Sequence, residues 1–560
     1  MSANMRTGGE LVVDALVANG VDRVFCVPGE SYLAVLDALY DTEIAVTVCR
    51  QEGGAAMMAE ADGKMTGRPG ICMVTRGPGA TNAASGVHVA RQDSTPMILL
   101  VGQIARDQRD REAFQEVDYR QMFGGIAKWV AEIDQAERVP EYMARAFTVA
   151  MSGRPGPVVL ALPEDMLREL APGKTVPAAC PVEVSPGSSQ MEAVAVTLAT
   201  AERPIVIAGG ARWSEEGRAA LQRFSERFDL PVACSFRRQH LFDHTHPNYA
   251  GDVGLGINPK LAERIKGADV VILIGGRMSE TPSQGYTLFD VPMPHQTLIH
   301  IHPDAGELGR VYMPAMAINA SPDAAAGALD KLVPPAARDI WKAATRAANG
   351  DYLEWSVPPE DIPGDVQLGA IVAKLRDELP ADTIITNGAG NYATWIHRFW
   401  RFRKLGTQLA PTSGSMGYGV PAGVAAKLRW PDRTVIAMAG DGCFQMTGQE
   451  FSTAVQYGAA LIVVVVDNGI YGTIRMHQER NYPGRVIGTD VGNPDFAALA
   501  RAHGGHGETA TKTEEFFPAL DRARQSGKPA ILHVRIDPEA ITPATTLSAI
   551  RAAAKKARGA

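Results

Sequence analysis

Two polar motifs in the last third of the chain each follow a buried strand and have side chains suited to a metal ion. Gly440-Asp441-Gly442 comes directly after the predicted strand Thr434–Ala439, and Asp467-Asn468 comes directly after Ala460–Val466. Ligands bind at the carboxyl ends of strands in an open parallel sheet, so we expect Asp441 and Asn468 to lie close together. Their hard oxygen atoms are ligands that Mg²⁺ accepts while keeping positions for phosphate oxygens. The pair therefore predicts a magnesium and phosphate site.

The spacing of the two motifs favours a metal site over a simple strand-to-helix turn. Alone, Gly-Asp-Gly is also a tight strand-to-helix turn in which the Asp caps the helix. Asn468 lies 27 residues beyond Asp441 and follows a second buried strand. A plain turn does not need that second motif, so the pair indicates a site.

Such a site needs parallel sheets, and the pattern of the chain predicts them. Its 560 residues correspond to about three to four domains at roughly 100–200 residues each. Three stretches repeat a β-branched run, a Gly-rich turn and a helical pattern, which is typical of parallel α/β sheets. We therefore predict an α/β fold with three doubly wound parallel-sheet domains, at residues 1–175, 190–345 and 362–545.

Charge and hydropathy exclude several classes of function. The net charge of −7 is spread along the chain, which opposes a phosphate-binding face for nucleic acid. The longest apolar run, Ala459–Val466, has eight residues, far fewer than the roughly 20 that span a bilayer. The amino terminus lacks the pattern of a secretory leader. We expect a cytoplasmic protein that acts on small molecules and binds neither nucleic acid nor membrane.

On these motifs the chain resembles the thiamine diphosphate-dependent enzymes, whose signature is G-D-G with an Asn downstream. Its domain order resembles the acetolactate synthase (acetohydroxyacid synthase) branch, and the resemblance covers nearly the whole chain. It implies the three-domain fold of that family. It also implies that Asp441, Asn468 and the main-chain carbonyl of Ile470 are the Mg²⁺ ligands.

The resemblance further implies which residues bind thiamine diphosphate. Gly414–Gly419 is similar to the family's G-T-M-G-F-G, in which the Met wedges between the two rings of the cofactor. Met suits a wedge because it is unbranched and polarizable, although a Met beside glycines also fills cores. The implied cofactor-binding residues of the third domain are Gly390, Asn391, Tyr392, Gly414, Met416, Gly440, Asp441, Gly442, Cys443, Asn468, Ile470 and Gly472.

Glu52 is the implied catalytic centre. It follows the predicted strand Ala45–Cys49 and precedes an Ala- and Met-rich helix, so an acid at a helix start is the structural alternative. In the resemblance, Glu52 matches the Glu that hydrogen-bonds to N1′ of the cofactor, which promotes removal of the C2 proton. The synthases usually carry His before this Glu, whereas this chain has Gln51.

Two further loops match family segments near the substrate. Phe114-Gln115-Glu116 matches F-Q-E, which implies catalytic roles for Phe114 and Gln115, and Arg76–Asn82 matches G-P-G-x-T-N. Gly-Pro-Gly also makes a plain turn. In this family the domain with the catalytic Glu faces the diphosphate-binding domain of a second subunit. The resemblance therefore implies a homo-oligomer, a dimer at minimum and a tetramer by expectation.

The substrate side departs from the synthases at three positions. Glu164 stands where the synthases have the Lys of L-P-K-D, Thr281 where they have an Arg that holds the second keto acid, and His477 in the region of their acceptor-selecting Trp. A neutral Thr cannot make a bidentate carboxylate clamp. The anabolic synthases also bind FAD, but their G-M-H-G segment is absent near Gly251–Gly256, so FAD is not favoured.

The resemblance implies an enzyme that decarboxylates a pyruvate-like 2-keto acid to an enamine and ligates it to a second carbonyl, as acetolactate synthase does. The first alternative, on the same cofactor, is a 2-keto acid decarboxylase or a C–C lyase of the 2-hydroxyacyl-CoA or diketone type. The missing acceptor Arg opposes the synthase, and the lack of adjacent histidines opposes a simple decarboxylase. The second alternative is a non-catalytic thiamine diphosphate-binding protein, which Glu52 opposes because binding alone does not need it.

Overall fold

A computed structural model describes residues 5–174, 176–336 and 339–558. These residues form three α/β units, each built on a six-stranded parallel sheet, which confirms the predicted fold class. The three sheets span residues 23–163, 204–319 and 384–535, inside the predicted domain ranges. The ends of the first predicted range, residues 1–4 and 175, lie outside the described residues, and the boundaries themselves stay predictions.

The first unit has the strand order β3-β2-β4-β5-β7-β6. Its central strands are buried on both faces, as a parallel sheet covered by helices requires. A small antiparallel pair, which the sequence pattern did not predict, joins β1 to β8. The elements are β1 (Met5–Thr7), α1 (Gly8–Ala18), β2 (Arg23–Cys26), α2 (Leu33–Leu39), β3 (Ala45–Val48), α3 (Glu52–Thr66), β4 (Gly70–Val74), α4 (Pro78–Asp93), β5 (Met97–Gln103), α5 (Tyr119–Phe123), β6 (Trp129–Glu132), α6 (Val139–Met151), β7 (Pro157–Pro163) and β8 (Leu170–Pro172).

The second unit has the strand order β11-β10-β9-β12-β13-β14. Its apolar strands and flanking helices enclose separate cores on the two faces of the sheet. The elements are α7 (Ser188–Ala199), β9 (Pro204–Ala208), α8 (Glu215–Phe228), β10 (Val232–Ser235), β11 (Tyr249–Val253), α9 (Pro259–Lys266), β12 (Val270–Ile274), β13 (Thr297–His302), β14 (Met316–Asn319), α10 (Pro322–Leu329) and α11 (Asp339–Trp355).

The third unit has the strand order β16-β15-β17-β18-β20-β19. The chain passes from β15 to β16 on one side and then returns to β17 on the other, so the direction of winding reverses between β15 and β17. Ligand crevices form at such reversals. The elements are α12 (Leu368–Glu378), β15 (Ile384–Asn387), α13 (Tyr392–Phe399), β16 (Gln408–Leu409), α14 (Gly419–Arg429), β17 (Val435–Gly440), α15 (Asp441–Gln445), α16 (Glu450–Gln456), β18 (Ile462–Asp467), α17 (Gly472–Asn481), α18 (Phe496–Ala502), β19 (His506–Ala510), α19 (Thr513–Gln525), β20 (Ala530–Arg535) and α20 (Leu547–Ala557).

Two helix starts differ from the sequence pattern. The pattern predicts one helix over Glu30–Tyr40, but the structure has a 3-10 turn at Glu30–Tyr32 and then α2. The break lies at Tyr32, whose φ of −135° is outside the helical range and whose hydroxyl donates to the carbonyl of Val27. The helix predicted to begin at Gly53 begins at Glu52, because Gln51 caps it by accepting from the N–H of Gly54 at 3.1 Å.

Helices α3 and α14 join the first and third units through one continuous hydrophobic core. The buried residues at this contact are mostly Ala and Gly, which let the two helix backbones approach closely. The helix that begins with Glu52 is therefore anchored on the third unit. Across the described ranges, every helix is too short or too polar to cross a bilayer.

Candidate active site

One pocket of about 250 Å³ opens where the strand order of the third unit reverses. Every residue that lines it belongs to the third unit, and the lining segments follow β15, β17, β18 and β20 or precede α14. The structure brings all twelve predicted third-domain residues to this pocket: Gly390, Asn391, Tyr392, Gly414, Met416, Gly440, Asp441, Gly442, Cys443, Asn468, Ile470 and Gly472.

The Asp441 carboxylate ties together the loops that follow β17 and β18. Its Oδ2 accepts from the N–H of Gly469 at 3.0 Å, and its Oδ1 accepts from the N–H of Gly442 at 2.9 Å. Burial raises the pKa of Asp441, and the hydrogen bonds from Asn493 and Gly442 oppose that rise. The side chain is thus a buried acceptor next to Asn468, in the arrangement that the sequence predicted.

Asn493 holds the Asp441 carboxylate in place, a role that the sequence did not reveal. Its Nδ2 donates at 2.7 Å both to Asp441 Oδ2 and to Asp467 Oδ1. Burial alone would raise the pKa of Asp467, yet hydrogen bonds from His533 and Gly469 hold it below its ordinary value. Asn493 therefore separates two neighbouring carboxylates, and no motif spacing in the sequence marks it.

The donor set suits Mg²⁺ better than a softer metal. It offers one carboxylate (Asp441), one side-chain amide (Asn468) and the main chain at Ile470, all at the same pocket. Mg²⁺ takes few protein oxygens and keeps water or phosphate oxygens in its other positions. Among the residues that the structure describes, no three His, Cys, Asp or Glu side chains cluster as a metal site, so this mixed oxygen set is the candidate.

Glycines let two aromatic rings lie directly against the main chain of the pocket wall. A Cβ at Gly442 would lie 2.5 Å from the Tyr471 ring, and one at Gly440 would lie 2.9 Å from the Tyr392 ring. Gly414 has φ +68°, and a Cβ there would meet no atom within 4 Å. Open space beside a main chain in the left-handed region fits a loop that presents its backbone to a bound molecule.

Cys443 connects the Met416 loop to this wall. Its Sγ accepts from the N–H of Gly417 at 3.1 Å and lies 3.3 Å from the Tyr392 hydroxyl. Met416 packs, half-buried, at the edge of the third-unit core and also lines the pocket. The structure therefore places Met416 where an apolar wedge can contact a ligand.

Helix α17 adds pocket residues that the sequence did not predict. Thr473 Oγ1 donates to Asn391 Oδ1 at 2.9 Å and accepts from the N–H of Asn391 at 3.0 Å. Tyr471 and Ile541 also line the pocket. Ile541 arrives from beyond β20, so only the tertiary fold could reveal it.

Glu52 lies in the first unit, apart from the residues that line the pocket of the same chain. Its Oε2 accepts from Asn82 Nδ2 at 2.9 Å, and a Cβ at Gly79 would lie 3.3 Å from its Oε1. The structure thus brings Glu52 to the predicted G-P-G-x-T-N loop, half-buried at the start of α3.

Phe114 and Gln115 lie on a loop with unusual backbone angles. Phe114 is 73% exposed, and Gln115 has φ +66°. Gly77 permits this approach, because a Cβ there would lie 2.8 Å from the Cβ of Gln115. The Glu116 carboxylate accepts from the N–H groups of Asp110 and Ala113 within the loop. Strained backbone of this kind persists only where its surroundings fix it, so the loop has a defined shape.

Glu164, which reverses the charge of the synthase Lys, forms an ion pair with Arg76. The Arg76 guanidinium, 9% exposed, pairs with Glu164 at 3.1 Å and with Glu30 at 3.2 Å. Its Nε also donates to the carbonyl of Phe114 at 3.3 Å. Arg76 therefore connects Glu164 to the loop that carries Phe114 and Gln115.

Replacing Glu164 with Lys should lower the free energy of unfolding by about 1–3 kcal/mol, because it leaves a mostly buried guanidinium without this carboxylate and adds a like charge. Chemical denaturation with matched controls measures the change. Glu164→Gln, which keeps an acceptor, should lose less, and the double variant Arg76→Ser with Glu164→Lys should recover part of the loss. If Glu164→Lys is as stable as wild type, the Arg76–Glu164 ion pair does not stabilise the fold.

Three family profiles match the chain in order. The thiamine pyrophosphate enzyme N-terminal TPP binding domain matches residues 6–122, the central domain matches 191–329, and the C-terminal TPP binding domain matches 388–534. The chain belongs to the thiamine pyrophosphate enzyme family. The cofactor named there is the thiamine diphosphate that the sequence motifs imply, and the candidate pocket lies almost wholly within the C-terminal match.

Curated relatives of this family member resemble it over nearly their whole length. The acetolactate synthase isozyme 2 large subunit of Escherichia coli is 32% identical, over 95% of this chain and 95% of that protein. The acetolactate synthase large subunit of Corynebacterium glutamicum is 31% identical, over 94% and 86%. An acetolactate synthase of Bacillus subtilis is 27% identical, over 95% and 93%. The chain is thus an acetolactate synthase-like enzyme of the thiamine pyrophosphate family.

In the central domain of this family member, the Gly209-Gly210 pair packs against protein backbone. A Cβ on Gly210 would overlap the carbonyl of Gly275, and one on Gly275 would lie 2.5 Å from the carbonyl of Gly209. These glycines therefore serve contact between the loops after β9 and β12. Thr281 lines a neighbouring cavity of about 70 Å³, and His477 lies on α17.

Proposed function

We propose that this chain is a thiamine diphosphate- and Mg²⁺-dependent enzyme that decarboxylates a pyruvate-like 2-keto acid and ligates the acyl fragment to a second carbonyl compound. The convergence of the predicted cofactor residues on one pocket beside Asp441 and Asn468 carries the proposal. The length of the match to proteins named acetolactate synthase supports this class of reaction.

Each residue of the proposed site has a task. Asp441, Asn468 and the Ile470 carbonyl hold Mg²⁺, while the segments at Gly390–Tyr392 and Gly442–Cys443 contact the diphosphate. Met416 orients the rings, and the Gly414 carbonyl accepts from the 4′-amino group. When bound, thiamine diphosphate supplies a carbon nucleophile for the keto acid carbonyl. Glu52 holds a proton at the pyrimidine N1′, and Phe114 and Gln115 contact the substrate.

A complete site takes Glu52 from a second copy of the chain. Glu52 belongs to the first unit, whereas every pocket-lining residue belongs to the third. Ile474 and Tyr471, which line the pocket, are 54% and 38% exposed, as expected for apolar side chains that another protein surface covers. We propose a homodimer at minimum and a homotetramer as the full assembly, in the cytoplasm.

Subunit mixing tests this shared site. Glu52→Gln and Asp441→Ala should each be inactive alone, but co-expression should restore part of the activity, because one site of each mixed dimer then has both native residues. Co-expression of two differently tagged Asp441→Ala chains is the control and should stay inactive. If the mixed preparation stays inactive although mixed dimers form, the site is not shared between chains.

A second candidate function uses the same pocket with a different acceptor. Thr281 is neutral, and Glu164 is neutralised by Arg76, so these two positions offer no cationic clamp for a second keto acid. They favour a lyase for 2-hydroxyacyl-CoA or diketone substrates, or a 2-keto acid decarboxylase. A non-catalytic thiamine diphosphate-binding protein is disfavoured by Glu52, and FAD remains outside the proposed cofactor set.

Product analysis decides among these functions. The protein is loaded with thiamine diphosphate and Mg²⁺ and given 2-keto acids, 2-hydroxyacyl-CoA compounds and cyclic diketones, with detection by mass spectrometry. A coupled product from pyruvate with loss of CO₂ is expected. An aldehyde alone would support the decarboxylase, and cleavage of a CoA compound or diketone would support the lyase. Cofactor binding without turnover of any substrate would contradict an enzymatic role.

A further inference from the structure

Glu450 is a fully buried carboxylate at the contact between the first and third units. Its two oxygens accept from the N–H of Arg50 at 3.1 and 3.2 Å, and Oε1 also accepts from the N–H of Gln51 at 3.0 Å. Arg50 and Gln51 are the two residues that directly precede Glu52. A side chain of the third unit thus binds the main chain that leads into the proposed catalytic residue.

The surroundings of Glu450 hold it in this position. Thr453 Oγ1 donates to Oε2 at 2.6 Å from within α16. Burial raises the pKa of Glu450, and the hydrogen bonds from Thr453, Arg50 and Gln51 oppose the rise. The carboxylate therefore accepts from neutral donors rather than from a surface ion pair, and hydrogen bonds to an ionised acceptor are roughly twice as strong as neutral ones.

Gly54 leaves the space that Glu450 occupies. A Cβ on Gly54 would lie 2.5 Å from Glu450 Oε1. The N–H of Gly54 donates to Gln51 Oε1 at 3.1 Å, which caps α3. The turn from Arg50 to Gly54 is thus fixed by Glu450 at its start and by the Gln51 cap at its end, with Glu52 in between.

Glu450 is also connected to the cofactor pocket of its own chain. It lies nine residues beyond Asp441, and the intervening segment is pinned to the Met416 loop. Cys443 Sγ accepts from the N–H of Gly417, and Thr447 Oγ1 donates to the carbonyl of Gly417 at 2.5 Å. One short segment therefore carries a proposed metal ligand at one end and Glu450 at the other.

We propose that Glu450 is a positioning residue that sets the main chain before Glu52 and, through it, the direction of the Glu52 carboxylate. The inference rests on the proposed function, because the direction of Glu52 affects chemistry only if Glu52 protonates N1′ of the cofactor. Misplacement of a catalytic group by 1 Å costs about 100-fold in rate. Without the hydrogen bonds from Arg50 and Gln51 to Glu450, the main chain next to Glu52 is free to shift.

Glu450→Leu is the direct test, because Leu is close to Glu in size but has no oxygen to accept from the N–H groups of Arg50 and Gln51. In the protein without cofactor, hydrogen exchange should rise at least ~10-fold at the amides of Arg50 and Gln51. In the loaded enzyme, exchange of the C2 proton should fall at least ~10-fold, while the Kd for thiamine diphosphate stays within about threefold.

Glu60→Leu is the matched control. Glu60 is also fully buried, lies two turns further along α3 and accepts from the Tyr418 hydroxyl of the third unit at 2.5 Å. This variant should keep the rate of C2 proton exchange, and the hydrogen-exchange rates of the Arg50 and Gln51 amides, within about threefold of wild type. Gly54→Ala displaces Glu450 from the other side and should give the same changes as Glu450→Leu. It also covers the case in which Glu450→Leu does not fold.

The outcomes separate this inference from the proposed function. The positioning role is refuted if Glu450→Leu exchanges the C2 proton at the wild-type rate. If Glu450→Leu does not fold, the same result for Gly54→Ala refutes it. Unchanged protection at Arg50 and Gln51, or equal losses of C2 exchange in the Glu60 control, would likewise overturn it. A wild type that binds the cofactor without C2 exchange would refute the proposed function instead.

Discussion

Replacement of Asp441 by Ala should abolish Mg²⁺-dependent retention of thiamine diphosphate. Asp441 is the only carboxylate of the proposed ligand set, and it lies at the pocket between the loops after β17 and β18. Without it, the metal has no anionic protein ligand to offset the cost of its partial dehydration. We expect the Kd for the cofactor at limiting Mg²⁺ to rise at least ~100-fold, about 2.8 kcal/mol, as measured by isothermal titration calorimetry.

Asp490→Asn is the control for this variant. Asp490, in the loop after α17, pairs with Arg475 on that helix, and its side chain is 87% exposed. Its replacement therefore removes a nearby negative charge but no pocket residue. Retention should then stay within about threefold of wild type, since an exposed ion pair contributes little. Normal retention by Asp441→Ala at limiting Mg²⁺ would refute the metal assignment.

The part of this site that the sequence could predict follows from sheet geometry. Asp441 and Asn468 each end a buried apolar strand, and β17 and β18 are neighbours in the sheet, so their carboxyl ends meet without any long-range information. Asn493, Thr473 and Ile541 reach the same pocket by loop and helix packing. Those contacts have no period or spacing in the chain, so sequence reasoning could not find them.

The positions at which this chain differs from the synthase motifs have the same limit: the sequence shows the difference but not the contacts that accompany it. The sequence shows that Glu164 reverses the charge of the synthase Lys, but it does not show that Arg76, 88 residues away, pairs with it. Gln51 stands where the synthases usually carry His, and only the structure shows that its side chain caps α3. A single residue can therefore be compared with a family motif from the sequence alone. Which other residues contact it depends on the distant segments that the fold brings together.

Glu52→Gln should slow exchange of the thiazolium C2 proton on the bound cofactor by about 10²–10⁴-fold, the contribution typical of a positioned general acid or base. Gln keeps the size of the side chain and still accepts from Asn82, which donates to Glu52 Oε2 in the native chain. It cannot hold a proton at N1′. The exchange rate is measured by NMR after rapid quench in heavy water.

The affinity for thiamine diphosphate distinguishes slower C2 proton exchange from loss of the cofactor site. The proposed metal and diphosphate contacts all lie in the third unit, so the Kd of Glu52→Gln for thiamine diphosphate should stay close to that of wild type, and its carboligation rate should fall with the exchange rate. Gln51→His restores the residue that the synthases usually carry and should leave C2 exchange within about tenfold of wild type, because the neighbouring carboxylate still holds the proton. If Glu52→Gln exchanges the C2 proton at the wild-type rate, another group activates the cofactor and Glu52 is only the first residue of a helix.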